Sequence, residues 1–275
     1  MPRAYVNGIN IYYNIEGQGE PLVLIMGYSG GLIGWVFQRR AFGKHNRIIT
    51  FDNRGVGKTD KPGGAYSMKM MADDTVGLMD HLGIEKAHIC GMSMGGMIAQ
   101  EIAINYPERV GKLVLGCTAA RRTDSLGAIL GLGEGYTDDD IRALPIMKFV
   151  NSLYSYGFNK CLYRIFMVPM AKVYARFSSP IGLTGQLEAV LAHNTLDRLH
   201  MIGAPTLVIT GTEDRLVPPS SSEALANGIP NARLVKIEGG SHSFFIEMRR
   251  RANKEILDFL RCDGNNINTI VSQMV

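Results

Sequence analysis

A serine set between glycines, Gly91-Met92-Ser93-Met94-Gly95, is the residue of this chain best placed to do covalent chemistry. An apolar, strand-like run (87–90) leads into it and a helix-like run (94–105) leads away. A serine on so sharp a strand-to-helix turn forms a nucleophile elbow, with its hydroxyl exposed at the bend. Glycines are expected on both sides because a Cβ would crowd the strained turn. A helix opening at Ser93 aims free backbone N–H groups and its positive dipole end at the reacting centre. With 32 glycines among 275 residues the pattern is weak by itself, and the surrounding elements must agree with it.

A serine hydroxyl is a poor nucleophile until a base takes its proton, and histidine is the natural candidate. The chain has six: His45, His81, His88, His193, His200 and His242. Only His242 sits in a glycine-rich turn, Gly239-Gly240-Ser241-His242, directly after an apolar run and far along the chain. His81 belongs to a helix end, where a cation suits the dipole. His88 points from a strand into packing. These and the remaining three are read as structural, and His242 as the base.

The elements that must position such a pair can be read from hydrophobic periodicity. Residues 4–15 alternate apolar and polar around Asn7-Gly8, a hairpin signal. Short continuous apolar runs follow at 22–26, 47–51, 87–90, 112–117, 206–210 and 233–237. Runs without alternation suit parallel strands buried on both faces. Helical patterns lie between them, as at 67–81 and at 94–105, the latter stopped by Tyr106-Pro107. Alternating strands and helices imply an open, mostly parallel sheet flanked by helices, an α/β fold. Its ligands bind at the carboxyl ends of the strands, where the elbow and the histidine turn both fall.

Composition narrows the function classes. A chain of this length makes one α/β domain with room for an insertion. The net charge of +4 is mild, and Arg249-Arg250-Arg251 reads as the solvated face of a helix, so no nucleic-acid partner is implied. No apolar stretch reaches membrane-span length, and the first residues lack the apolar core of a signal peptide. Cys90, Cys117, Cys161 and Cys262 form no Cys-x-x-Cys pair, which suits a reduced, cytoplasmic protein. No His/Cys/Asp/Glu cluster has metal spacing, and no Gly-x-Gly-x-x-Gly follows a strand, so neither a metal nor a cofactor is expected. Gly57-Lys58-Thr59 imitates the end of a phosphate-binding loop, but position 52, where that motif needs glycine, is Asp.

Together the glycine turn after 22–26 (Gly27-Tyr28), Trp35, Asp52-Asn53-Arg54-Gly55-Val56-Gly57, the elbow, the run 204–214 and Gly239-Gly240-Ser241-His242 resemble the α/β-hydrolase superfamily in order and spacing. The resemblance runs from about residue 5 to 260. It is nearest to enol-lactone hydrolases, short-acyl carboxylesterases and cofactor-free haloperoxidases or perhydrolases. It implies an orienting acid between Ser93 and His242, for which Asp214 is the candidate and its neighbour Glu213 the rival. It implies an oxyanion hole built from the backbone N–H groups of Met94 and Tyr28. Many members carry His-Gly where this chain has Met26-Gly27. It also implies that residues 1–120 and 197–262 form the hydrolase core and that 121–196, dense in aromatics and methionine, form a helical cap. The polar tail 263–275 is expected to be disordered.

The expected activity is a serine hydrolase cleaving an ester or lactone with an apolar part through an acyl-enzyme. A perhydrolase, a carbon–carbon bond hydrolase and a ligand receptor on the same fold are alternatives. A preference for an anionic lactone would implicate a cap arginine such as Arg142, Arg164 or Arg176 in holding a carboxylate.

Overall fold

The first turn follows directly from its residues. Asn7 and Gly8 take positive φ values of 48° and 80°, as a type I′ turn requires. They join β1 (Arg3–Val6) to β2 (Ile9–Glu16) as an antiparallel hairpin. The computed structural model describes residues 2–123, 125–132, 134–159, 165, 169 and 179–262. Cys161, Tyr163, Arg164, Phe166, Met167, Met170, Tyr174, Arg176, Phe177 and the tail 263–275 lie outside the described residues.

Six more strands follow: β3 (Glu20–Ile25), β4 (Asn46–Phe51), β5 (Ala87–Met92), β6 (Val110–Gly116), β7 (Thr206–Gly211) and β8 (Ala232–Ile237). One eight-stranded sheet results, in the order β1-β2-β4-β3-β5-β6-β7-β8. β2 meets β4 antiparallel, and every pairing from β4 across to β8 is parallel. The described helices, in chain order, are α1 (Val36–Phe42), α2 (Met68–His81), α3 (Met94–Asn105), α4 (Ser125–Leu130), α5 (Asp138–Arg142), α6 (Ile146–Tyr156), α7 (Pro180–Leu191), α8 (Pro219–Gly228), α9 (Phe244–Glu247) and α10 (Arg249–Arg261).

Unbroken apolar strands give the sheet two dry faces. Val23 and Ile25 of β3 join a core with Val76 and Met79 of α2, Ile98 and Ile102 of α3, and Leu225 of α8. Leu22 and Leu24, one residue out of phase, join the opposite core with Phe42 of α1 and Ile256 and Phe259 of α10. All four of these β3 residues are fully buried. The run 233–237 departs from the expectation of burial on both faces. As β8 it forms the sheet's edge and stays half-open, with Lys236 paired to Glu223 and Arg233 to Glu255. Charged side chains suit an edge because they discourage pairing by a further strand.

Helices α4 to α7 lie in the excursion between β6 and β7. Leu126, Leu130, Ile141, Phe149, Leu187 and Leu191 give them a core of their own. The excursion leaves and returns at one place. Arg121 and Asn194 form an antiparallel bridge, and the Thr195 N–H donates to the Ala120 carbonyl at 2.7 Å.

Candidate active site

The elbow stands between β5 and α3. Ser93 takes φ 55° and ψ −124° as the N-cap of α3, a region that costs a non-glycine residue of the order of 1–3 kcal/mol. Its neighbours hold it there. The Ser93 N–H donates to the Gly116 carbonyl at 2.8 Å, and the Thr118 hydroxyl donates to the Ser93 carbonyl at 2.7 Å. The glycines are required by space. A Cβ on Gly91 would strike the Gly95 carbonyl, and one on Gly95 would strike the Ile25 carbonyl of β3.

His242 and Asp214 arrive on turns that follow β8 and β7. The two turns are stitched together: the Gly239 N–H donates to the Thr212 hydroxyl at 2.8 Å and the Glu213 N–H to the Gly240 carbonyl at 2.8 Å. His242 Nδ1 lies 2.8 Å from Asp214 Oδ2, and Nε2 lies 3.1 Å from Ser93 Oγ. An ionised carboxylate only accepts, so Nδ1 carries the proton and Nε2 is left to accept from the serine hydroxyl. The Asp214 side chain is fully buried. Its other oxygen accepts the Leu216 and Val217 N–H groups, each at 2.9 Å, so the anion is satisfied without water. Glu213 turns away and accepts from Asn159 Nδ2 at 2.9 Å. The structure thus brings Ser93, His242 and Asp214 together and leaves Glu213 outside the group.

The turn after β3 closes over the serine. A Cβ on Gly27 would come within 2.9 Å of Ser93 Cβ, so glycine is what lets the turn approach so closely. Asn53 Nδ2 donates to the Met26 carbonyl at 2.9 Å, tying this turn to the one after β4. Among the described residues neither the Tyr28 nor the Met94 N–H has a protein acceptor, and both residues line the cavity in front of Ser93. Two free donors beside a serine are what a developing oxyanion requires.

That cavity measures about 430 Å³, toward the small end for small-molecule sites. Its walls are mainly apolar: Met92 and Met97 from the sheet side, Phe149 and Leu153 from α6, Phe245 from α9 and Phe37 from α1. Of the cap arginines named from the sequence, Arg142 lies elsewhere, held on the surface by Asp139 and Glu188. Among the described residues the arginine that lines the cavity is Arg122, and Asp138 at 3.0 Å compensates its charge.

Three residues at this site carry no motif. Gln186 of α7 is fully buried and accepts the Ser29 N–H at 2.9 Å. Tyr154 of α6 shares a hydrogen bond of 2.8 Å with the Ser29 hydroxyl. Arg122 is the third. Tyr154 shows in the sequence only as one of the aromatics of 121–196, and Gln186 as a lone amide among Gly182, Leu183, Leu187 and Val190, which the helical period puts on one stripe.

Comparison with known proteins shows the family to which the fold belongs. Residues 20–248 match the model of the alpha/beta hydrolase fold family. A protein of Azorhizobium caulinodans named "Putative carbamate hydrolase RutD" is 31% identical over 265 residues, covering 94% of this chain and 98% of that one. The crystal structure of the enol-lactonase from Burkholderia xenovorans LB400 superposes with a TM-score of 0.85 at 28% identity, covering 94% of this chain and 99% of that one. A thermophilic esterase from Thermogutta terrifontis superposes at 0.83 with 26% identity, covering 95% and 98%.

Proposed function

Because this chain belongs to the alpha/beta hydrolase fold family, we propose that it is a serine hydrolase that cleaves a small carboxylic ester or lactone. The observation that carries this reading is the continuous relay from Ser93 through His242 to Asp214, with two unbonded backbone donors beside it. His242 Nε2 takes the proton as Ser93 Oγ attacks the carbonyl carbon. The oxygen that gains charge lies against the Tyr28 and Met94 amides. His242 returns the proton to the leaving alkoxide, and an acyl-enzyme remains. The same nitrogen then takes a proton from the water that attacks the acyl carbon and passes it to Ser93 Oγ as the acid departs, which restores both residues. Asp214 keeps the ring in the required tautomer and stabilises the imidazolium. The apolar walls favour an apolar acyl or alcohol group, and the segment 121–196 acts as the cap above it.

Ser93→Ala tests the reading. It should fold normally, lose about 10⁴-fold or more in kcat, and no longer react with a fluorophosphonate. Labelling that persists at another serine would refute the assignment. Assaying p-nitrophenyl esters beside lactones, carbamates and acetate with hydrogen peroxide separates the ester and lactone class from its neighbours on this fold.

A further inference from the structure

We propose that Gln186 is a positioning residue that aims the Tyr28 amide at the oxyanion, so that the inserted helices complete the active site as well as covering it. The proposal rests on the serine-hydrolase reading above. Gly30 N–H donates to the Gly27 carbonyl at 3.1 Å, closing a turn with Tyr28 and Ser29 at its centre. In a trans peptide the Tyr28 N–H points opposite to the Gly27 carbonyl, so this turn fixes the donor's direction. Ser29 occupies the third position with φ 57°, as a type II turn requires and as glycine normally provides. A serine there stays put only if its surroundings over-determine it.

Those surroundings are α6 and α7. Ser29 is almost fully buried, so its N–H needs an acceptor, and Gln186 Oε1 is the one it has. The Tyr154 hydroxyl holds the Ser29 side chain. Tyr28's own hydroxyl donates to the Leu183 carbonyl of α7 at 3.0 Å. Gln186 is anchored in turn. Its Nε2 donates to the Arg54 carbonyl at 2.9 Å, and the Arg54 guanidinium grips both carboxylate oxygens of buried Asp74 on α2. A continuous line of hydrogen bonds thus runs from the core helix α2 through Arg54 and Gln186 to the turn that carries the donor.

Gln186→Met keeps side-chain length and removes the acceptor. A whole oxyanion donor is worth roughly 10²–10³ in kcat, and a misaimed one less. The expected result is a loss of about 30-fold in kcat with KM nearly unchanged. An alkylboronic acid that mimics the tetrahedral state should weaken by a similar factor, and the Ser29 amide should exchange hydrogen faster. Gln186→Glu keeps an oxygen for Ser29 and should recover part of the activity. Ser29→Gly in the Gln186→Met background should do the same, because glycine occupies the turn without strain. If Gln186→Met does not fold, Tyr154→Phe carries the test through a smaller fall in kcat at constant KM. A raised KM with kcat intact, unchanged boronate inhibition, or unchanged Ser29 exchange would overturn the proposal. The parent reading fails separately, through activity that survives Ser93→Ala, whereas the exchange of Ser29 reports on the turn alone.

Discussion

Ser93 and Ser29 are both serines held at positive φ, near 55°, and they face the same small volume. Ser93 is the proposed nucleophile and Ser29 lies in the turn beside it, and each is locked by hydrogen bonds from outside its own segment. The partition between Asp214 and Glu213 is equally local. Asp214→Asn keeps size but loses the charge behind the imidazolium and favours the wrong ring tautomer, so kcat should fall on the order of 10⁴-fold. Glu213→Gln should change little. Steady-state kinetics on the two variants checks this, and the reverse ranking would make Glu213 the acid. The places of Ser93 and His242 were legible in the sequence because glycine spacing and strand-end position are local signals, whereas Asp214 was marked out only by the family resemblance. Gln186 and Tyr154 were not, because their partner Ser29 is 157 and 125 residues away, and nothing in a helical stripe tells what will pack on it.

At the scale of elements, the parallel strands could be read because buried runs announce themselves, whereas the half-open face of β8 could not. Its run is apolar enough to look internal, and only its place at the end of the strand order leaves it exposed. The cavity lies between strand ends and inserted helices, with Phe149, Leu153 and Tyr154 of α6 forming one wall. Each methylene that reaches such walls contributes roughly 0.8 kcal/mol, about fourfold in kcat/KM when it is expressed in the transition state. A cavity of about 430 Å³ fills quickly. A p-nitrophenyl ester series should therefore rise in kcat/KM from acetyl to butyryl or hexanoyl and then fall. A strict acetyl preference, or constant rates into long chains, would contradict a capped apolar pocket.

For the molecule as a whole, acid is the condition that should loosen the fold, and His193 is a reason why. It is buried just after α7. Burial holds its pKa down to about 4 against the attraction of Glu101, with Arg198 adding to the depression. An unfolded histidine takes up its proton near 6.5, so between those values the unfolded chain is protonated first. The contribution is complete above pH 6.5 and fades as the pH falls toward 4, reaching a loss of about 2 kcal/mol by pH 5. Urea unfolding at pH 7 and pH 5 should show that difference shrink by a similar amount in His193→Phe; an unchanged difference would point to other groups. His193 also stands beside the bridge of Arg121 with Asn194, where the inserted chain departs from the sheet and rejoins it. A doorway that narrow makes the sheet indifferent to how much polypeptide passes through it. Doubling the length between two fixed ends costs only about 0.6 kcal/mol of closure entropy. Polypeptide can thus be added to the roof over the pocket at little cost, wherever it leaves alone the contacts that reach down from it: Gln186 and Tyr154 to Ser29, Leu183 to Tyr28, and Gln186 to Arg54.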